Sequence, residues 1–203
     1  MTLERNSLVE AAKAVCQIDV GDGVLFRIVD ISPIRPEDLY GGFRLQIQGS
    51  LEKVRQVFDI DVATGDPIVP AAAPYEYQCL VTKERLSLLA YSLESVVAEK
   101  METFLAKGLD NSRSKDLYDL YILGKFERGT MDENVARKAF QETCSYRSFE
   151  ISKEKAKQIS SAIKENALSQ ERWARFANKS YAAGISYEEV MASIGDWLDF
   201  LME

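Results

Sequence analysis

Three groups of side chains in this 203-residue sequence have types and spacings that could do chemistry. The first is Asp59-Ile60-Asp61, preceded by Gly49-Ser50. On a strand, residues two apart project from the same face. Two carboxylates so placed repel unless one is protonated or a cation lies between them. A divalent metal shared with a substrate phosphate would satisfy both. The plain alternative is a solvated hairpin face carrying two ordinary acids. The second group is the run Asn111-Ser-Arg-Ser-Lys-Asp-Leu-Tyr-Asp-Leu120. On a helix Lys115 and Asp119 are i,i+4, and Asp116 and Asp119 are i,i+3, so the three share a face. Arg113 at the helix start could swing toward them. Lysine and arginine beside paired carboxylates could hold a triphosphate and its metal, or could amount to one salt bridge with a spare acid. The third is Lys100, whose stem lies within the apolar stripe Leu93, Val96, Val97, Met101 and Phe104. It must either snorkel outward or meet an anionic partner.

Composition narrows what these groups can be part of. The chain has no histidine, which removes histidine-based triads, HExxH zinc sites and every imidazole base. Catalysis must rest on carboxylates, Lys, Arg, Tyr, Ser or a bound metal. Cys16, Cys79 and Cys144 are odd in number and far apart, so they suggest small buried thiols in a reducing cytosol, neither a disulfide framework nor a zinc site. The net charge of −7 argues against a dedicated nucleic-acid coat while leaving room for local basic patches. No apolar run approaches the length of a membrane span, and the first residues lack the pattern of a signal or transit peptide. A cytoplasmic protein is expected.

The elements that must position these groups follow from periodicity. Ser7-x-x-Glu10 is a candidate capping box for a helix carrying Leu8, Ala11, Ala12 and Val15 and ending before Asp19. A turn at Asp19–Gly23 leads to a strand over Val24–Ile31, which Pro33 and Pro36 should end. Phe43, Leu45 and Ile47 alternate with Arg44, Gln46 and Gln48 in a second strand. Val54, Phe58, Ile60 and Val62 share a face of a third, with Gly49–Glu52 as the hairpin connection. An irregular Pro-rich loop follows, then one more strand at Tyr75–Val81. From Ser92 onward the period is 3.6, giving helices over 92–107, 114–125, 132–145, 152–165, 169–181 and 186–202. Trp173 and Trp197 fall at core positions, and the charged runs around Lys153 and Arg172 read as solvated helix faces. Strands followed by helices point to an α+β fold, with a sheet-bearing domain over 1–91 and a helical domain over 92–203.

Two blocks, in this order and separation, resemble the AbiEii/AbiGii toxin family of nucleotidyltransferases, which share a polymerase-β-like fold. One is Asp61-Val-Ala-Thr-Gly-Asp66. The other is Ala98-Glu-Lys100 followed by Asn111-Ser-Arg-Ser-Lys-Asp-Leu-Tyr-Asp-Leu. The resemblance covers about Leu8 to Phe126 and implies a partial nucleotidyltransferase-like, mixed or antiparallel sheet followed by a helical region. In that family a Gly-Gly-Ser/Thr turn, a helix and an Asp-x-Asp strand supply the first two metal ligands, and a later strand supplies a third. Only eight residues separate Ser50 from Asp59, too few for turn, helix and return, so the resemblance makes Asp61 the third carboxylate and Asp66 the loop acid. Asp61 is then the catalytic candidate and a metal ligand, with Asp59 the weaker one. The implied nucleotide-binding residues are Lys100, Arg113, Lys115, Asp116 and Asp119. The implied cofactor is Mg²⁺, the substrate an NTP, and the acceptor an RNA such as a tRNA end, or a protein. The implied setting is a toxin–antitoxin or abortive-infection system.

Because the first signature is missing before Leu8, the expectation is a truncated form with little or no nucleotidyl transfer of its own. Two other readings stand beside it. The chain could be a non-catalytic interaction protein completed by a homodimer or an antitoxin, or Gly49-Ser50 with Asp59 and Asp61 could form a compressed metal site.

Overall fold

The computed structural model describes residues 4–34, 42–65 and 67–202. By its internal contacts the chain divides into two compact units, Met1–Asp66 and Pro67–Glu203. Helix α1 spans Arg5–Cys16, strand β1 Leu25–Ile34, β2 Gly42–Leu51 and β3 Val54–Val62. In the second unit follow β4 Ala73–Gln78, β5 Arg85–Ala90, α2 Leu93–Lys107, α3 Ser114–Phe126, α4 Glu133–Tyr146, α5 Lys153–Glu165, α6 Ala167–Ala177 and α7 Tyr187–Leu201. This is an α+β fold.

The first unit is an antiparallel sheet in the order β1-β2-β3 with α1 packed on β1. Register explains its core. Ile28 pairs with Ile47 and Ile31 with Leu45, while Ile47 faces Phe58 and Leu45 faces Ile60. Cross-strand partners point to the same side, so one face collects these apolar residues, with Leu45 and Ile47 buried beside Ala12. A bulge between Ile28 and Asp30 keeps the alternation in phase. Gly42 has no room for a side chain, because an added Cβ would lie 2.6 Å from the Val62 carbonyl oxygen.

Three details depart from the sequence reading. Ser7 is inside α1, whose N-cap is Glu4 without a side-chain bond; the proposed capping box is not formed. Pro33 does not end β1 but pairs with Phe43, which the edge position of β1 permits because an edge strand leaves one row of amides unpaired. The hairpin turn is at Glu52-Lys53, with Glu52 at φ 50°. Gly49 and Ser50 lie inside β2 opposite Gln56 and Arg55. There the missing Cβ of Gly49 admits the Phe26 ring, which would come within 3.2 Å of it. Asp66 and Pro36 lie outside the described residues.

In the second unit, β4 and β5 form a separate two-stranded hairpin; β5 went unread, its alternation being confined to Arg85–Leu88 and lost at Leu89. Five of the six expected helices agree with their spans within a residue, and the reason is local; the one expected over 169–181 is α6, which starts earlier and ends at Ala177. Ser92, Asp132, Ser152 and Ser186 stand one residue before α2, α4, α5 and α7, and each side chain accepts an N-terminal backbone N–H. The core joins Val97, Met101, Phe104 and Leu105 of α2 to Leu120 of α3, Phe140 of α4 and Val190, Ile194, Trp197 and Leu198 of α7. Leu93, expected in the buried stripe, is 37% exposed, and Ala98 and Leu105 take its place. Ser92 and Ser95 both donate hydroxyls to the Val69 carbonyl, seating the segment before β4 on the start of α2. Arg147 donates to the buried Glu102 carboxylate and to Thr103 Oγ1, tying α4 to α2.

Burial sets the alkaline behaviour of this unit. It pushes the Cys144 thiol, helped by nearby Glu102, up to about 12 and the Tyr187 phenol up to about 12. Both folded values exceed the ordinary ones of 9.0 and 10.0. Their contribution is therefore complete below pH ~9 and is lost as pH rises through ~12. The urea midpoint should stay level from neutrality to about pH 9 and then fall; a midpoint still level near pH 12 would contradict this packing. Cys144 is a buried thiol as expected, whereas Cys16 and Cys79 are only half-buried.

Candidate functional site

The second polar group becomes a single charged constellation in the helical unit. Lys100 extends from α2, and its Nζ lies 2.7 Å from Asp116 Oδ1 and 2.8 Å from Asp119 Oδ2, both on α3. Asp116 also has Arg113 Nη1 within 3.6 Å of its other oxygen. Helical spacing explains the arrangement: Asp116 and Asp119, three apart, lie above one another on the face turned toward α2. The Lys100 side chain is 21% exposed. Burial alone would lower its pKa, but the hydrogen bonds and charges of Asp116 and Asp119 outweigh that and raise it. Lys100 is a fixed, fully protonated cation at neutral pH. The anionic partner left open by its sequence position is this carboxylate pair.

Lys115, one residue from Asp116, does not pair with Asp119. It is exposed and engages in no ion pair among the described residues. With Arg113, Ser114 and Asp116 it lines an open groove of about 870 Å³ between the start of α3 and the C-terminal half of α6. The opposite wall carries Arg172, Arg175 and Lys179. Sequence reading passed over Arg172 and Arg175 as a solvated helix face and did not single out Lys179. The available signal was the i,i+3 spacing of Arg172 and Arg175, each followed directly by an aromatic residue, Trp173 and Phe176.

In the first unit, Asp61 and Asp59 face Arg44. The guanidinium makes a bidentate contact with Asp61, Nε to Oδ1 at 2.7 Å and Nη2 to Oδ2 at 2.8 Å, and approaches Asp59 at 3.8 Å. Asp59 also accepts from Gln46 Nε2 at 3.3 Å. The register Arg44↔Asp61 and Gln46↔Asp59 dictates these partners. The hydrogen bond and charge of Asp61 raise the Arg44 pKa further. The cation that the paired carboxylates required is thus supplied by the chain itself, and Arg44 went unread in that role. Among the described residues no group of three or more His, Cys, Asp or Glu is placed to hold a metal ion. Both oxygens of Asp61 accept from Arg44, so in this arrangement the pair is not set to hold a magnesium ion.

No helix among the described residues is long and apolar enough to cross a membrane. Comparison with solved structures finds a protein of H. pylori, described as a candidate nucleotidyltransferase, at 13% identity and TM-score 0.51; the match covers 98% of this chain and 73% of that one. That likeness concerns the fold. A second crystal structure, JHP933 from Helicobacter pylori, is similar at 14% identity and TM-score 0.43, covering 98% of this chain and 72% of that one. No curated protein matches the chain. The family described as nucleotidyl transferase AbiEii toxin, type IV TA system, matches residues 3–193, nearly the whole length and both units, and the chain belongs to that family.

Proposed function

We propose that the helical unit is the nucleotide-phosphate clamp of an NTP-dependent nucleotidyltransferase toxin. The observation that supports this is Lys100, a partly buried cation held at 2.7 and 2.8 Å by two carboxylates of α3. A lysine so fixed loses little side-chain freedom when a triphosphate arrives. Arg113 offers a second, planar donor set, and Lys115, exposed and in no ion pair among the described residues, can close on phosphate oxygens. Asp116 and Asp119 position Lys100. Transfer to an RNA or protein acceptor would need metal-binding carboxylates that the described residues do not assemble, so nucleotide binding with little transfer is our reading for this chain alone. In this reading the chain has the nucleotide site of its family and a catalytic strand whose Asp61 is engaged by Arg44.

Isothermal titration with NTPs tests the clamp. Lys115→Ala should weaken binding about tenfold, the loss of one charge-assisted contact. Its melting temperature should not move, because the side chain is exposed and unpaired. Unchanged affinity in that variant would remove the assignment.

A second reading is favoured by the β4–β5 hairpin, where Tyr75, Leu80, Val81 and Leu89 are 56%, 79%, 92% and 77% exposed. A two-stranded hairpin is marginal by itself, and such a surface suits an antitoxin or a second copy of the chain. Sedimentation of the purified chain as a monomer across concentrations would count against the homodimer.

A further inference from the structure

We propose that Arg172 of α6 is a positioning residue for the phosphate clamp: it holds the loop between α2 and α3 and so sets Arg113 and the first turn of α3 for an incoming triphosphate. The inference rests on the clamp reading above and adds to it a residue that acts without touching the nucleotide. Its starting point is the way α3 begins. Helices α2, α4, α5, α6 and α7 each open on a serine, aspartate or asparagine whose side chain accepts an N-terminal amide. Helix α3 opens on Arg113, which has no side-chain acceptor to offer, at φ −88° and ψ 67°. The helix that carries Asp116 and Asp119 thus has the start that its own sequence fixes least.

The loop that delivers Arg113 is shaped by local bonds. After α2, Gly108 turns the chain at φ 51°, a left-handed value that glycine adopts without strain. A single 3-10 turn follows over Gly108–Asp110, with the Asn111 N–H donating to the Gly108 carbonyl at 3.2 Å. The Asn111 side chain then accepts the Arg113 N–H at 2.9 Å. Helix α5 rests against the 3-10 turn, ahead of the Asn111–Arg113 portion. Among the described residues, the hydrogen bonds that reach the loop from a distant part of the chain both come from Arg172. Its Nη1 donates to the Leu109 and Asn111 carbonyls at 3.1 Å each. Asn111 is therefore the link, its carbonyl held by Arg172 and its side chain holding the Arg113 amide.

Helix α6 gives this tie a firm base. Trp173, next to Arg172, is buried, and its Nε1 donates to the Ile185 carbonyl at 3.1 Å. Arg172 itself engages in no ion pair among the described residues. Its charge strengthens the two bonds, since charge-assisted hydrogen bonds are roughly twice as strong as neutral ones, and one Nη with two hydrogens serves both acceptors. Arg113 depends on that support because its own ion pair is long: Nη1 lies 3.6 Å from Asp116 Oδ2, and the side chain is half exposed. With the loop released, Arg113 and the start of α3 would have to be ordered by the arriving triphosphate, which costs affinity. Arg172 orders them in the free protein.

The test pairs calorimetric titration of ATP with amide hydrogen exchange of the free chain. Arg172→Ala should weaken ATP binding about tenfold and speed exchange over 109–116, while the amides of α7 stay as protected as in the parent. Arg172→Lys, which keeps a charged donor near the loop, should restore part of both. Combination with Arg113→Ala separates positioning from direct contact. If Arg172 acts through Arg113, then Arg172→Ala should cost less than about twofold in an Arg113→Ala chain, whereas two independent phosphate contacts would add. Full additivity overturns the proposal in favour of direct contact between Arg172 and the nucleotide. Full ATP affinity in Arg172→Ala overturns it as well, and so does a rise in exchange that extends through α7. The clamp is judged separately. Unchanged affinity in Lys115→Ala removes the clamp and this role with it, whereas a loss in Lys115→Ala beside an unaffected Arg172→Ala removes the positioning role alone.

Discussion

Lys100→Ala should abolish detectable NTP binding and also cost stability, two effects with one cause. The lysine is the common counter-ion of Asp116 and Asp119. Without it, two carboxylates three residues apart on α3 keep only Arg113, at 3.6 Å from Asp116 and half exposed. Breaking a fully buried pair costs ~3–5 kcal/mol; these side chains retain 19–28% exposure, so solvent screening reduces the expected loss to about 2 kcal/mol. For binding, the same deletion takes the cluster of Lys100, Arg113, Lys115, Asp116 and Asp119 from a net charge of about +1 to about zero and leaves both carboxylates without their lysine before the incoming triphosphate. An affinity loss of at least a hundredfold is expected in calorimetry. Two accompanying results separate charge from packing. Lys100→Met, which restores the stem but not the charge, should recover part of the stability and none of the affinity. The stability deficit of Lys100→Ala in urea denaturation should shrink at high salt, which screens the repulsion between the two carboxylates. A Lys100→Met chain that binds NTP like the parent would dismantle the clamp.

The largest expected effect on folding is at Trp197. It is fully buried in α7, its Nε1 donates to the Leu120 carbonyl of α3 at 2.9 Å, and its ring meets Phe200 edge-on at 5.6 Å. The closeness of α3 depends on Gly124, where a Cβ would come within 3.2 Å of the Trp197 nitrogen. Trp197→Ala should cost about 4 kcal/mol through lost burial and the cavity left behind, read as a lower urea midpoint by far-ultraviolet circular dichroism. Trp197→Phe should cost about 1–2 kcal/mol, since it keeps most of the ring and loses the hydrogen bond. Because α3 carries Asp116 and Asp119, Trp197→Ala should also weaken NTP binding, although the residue is outside the clamp. A loss under 1 kcal/mol would mean that α7 is not the centre of this unit.

These two residues show how differently a sequence exposes its features. Trp197 was legible as a core anchor because helical periodicity is local and the caps at Ser92, Asp132, Ser152 and Ser186 bracket the helices within a residue. Lys100 was legible only as a choice between water and an anion, since its partners lie 16 and 19 positions away. The hairpin turn was misplaced because Gly49-Ser50 has turn-forming composition. Backbone pairing overrode it: the missing side chain of Gly49 makes room for Phe26 within the sheet, and the turn falls to Glu52-Lys53.

The sequence by itself determined the α+β order, the helix spans, the absence of any imidazole chemistry, and the two blocks that mark the family. All of these depend on residue type and on spacings within a few turns or one strand. Only the tertiary structure decided which charges meet. Antiparallel register set Arg44 against Asp61, the packing of α2 on α3 gave Lys100 both its carboxylates, and the approach of α6 to α3 gathered five cations around one groove. Ion pairing depends on ångström distances between segments far apart in sequence, and neither composition nor periodicity encodes those distances.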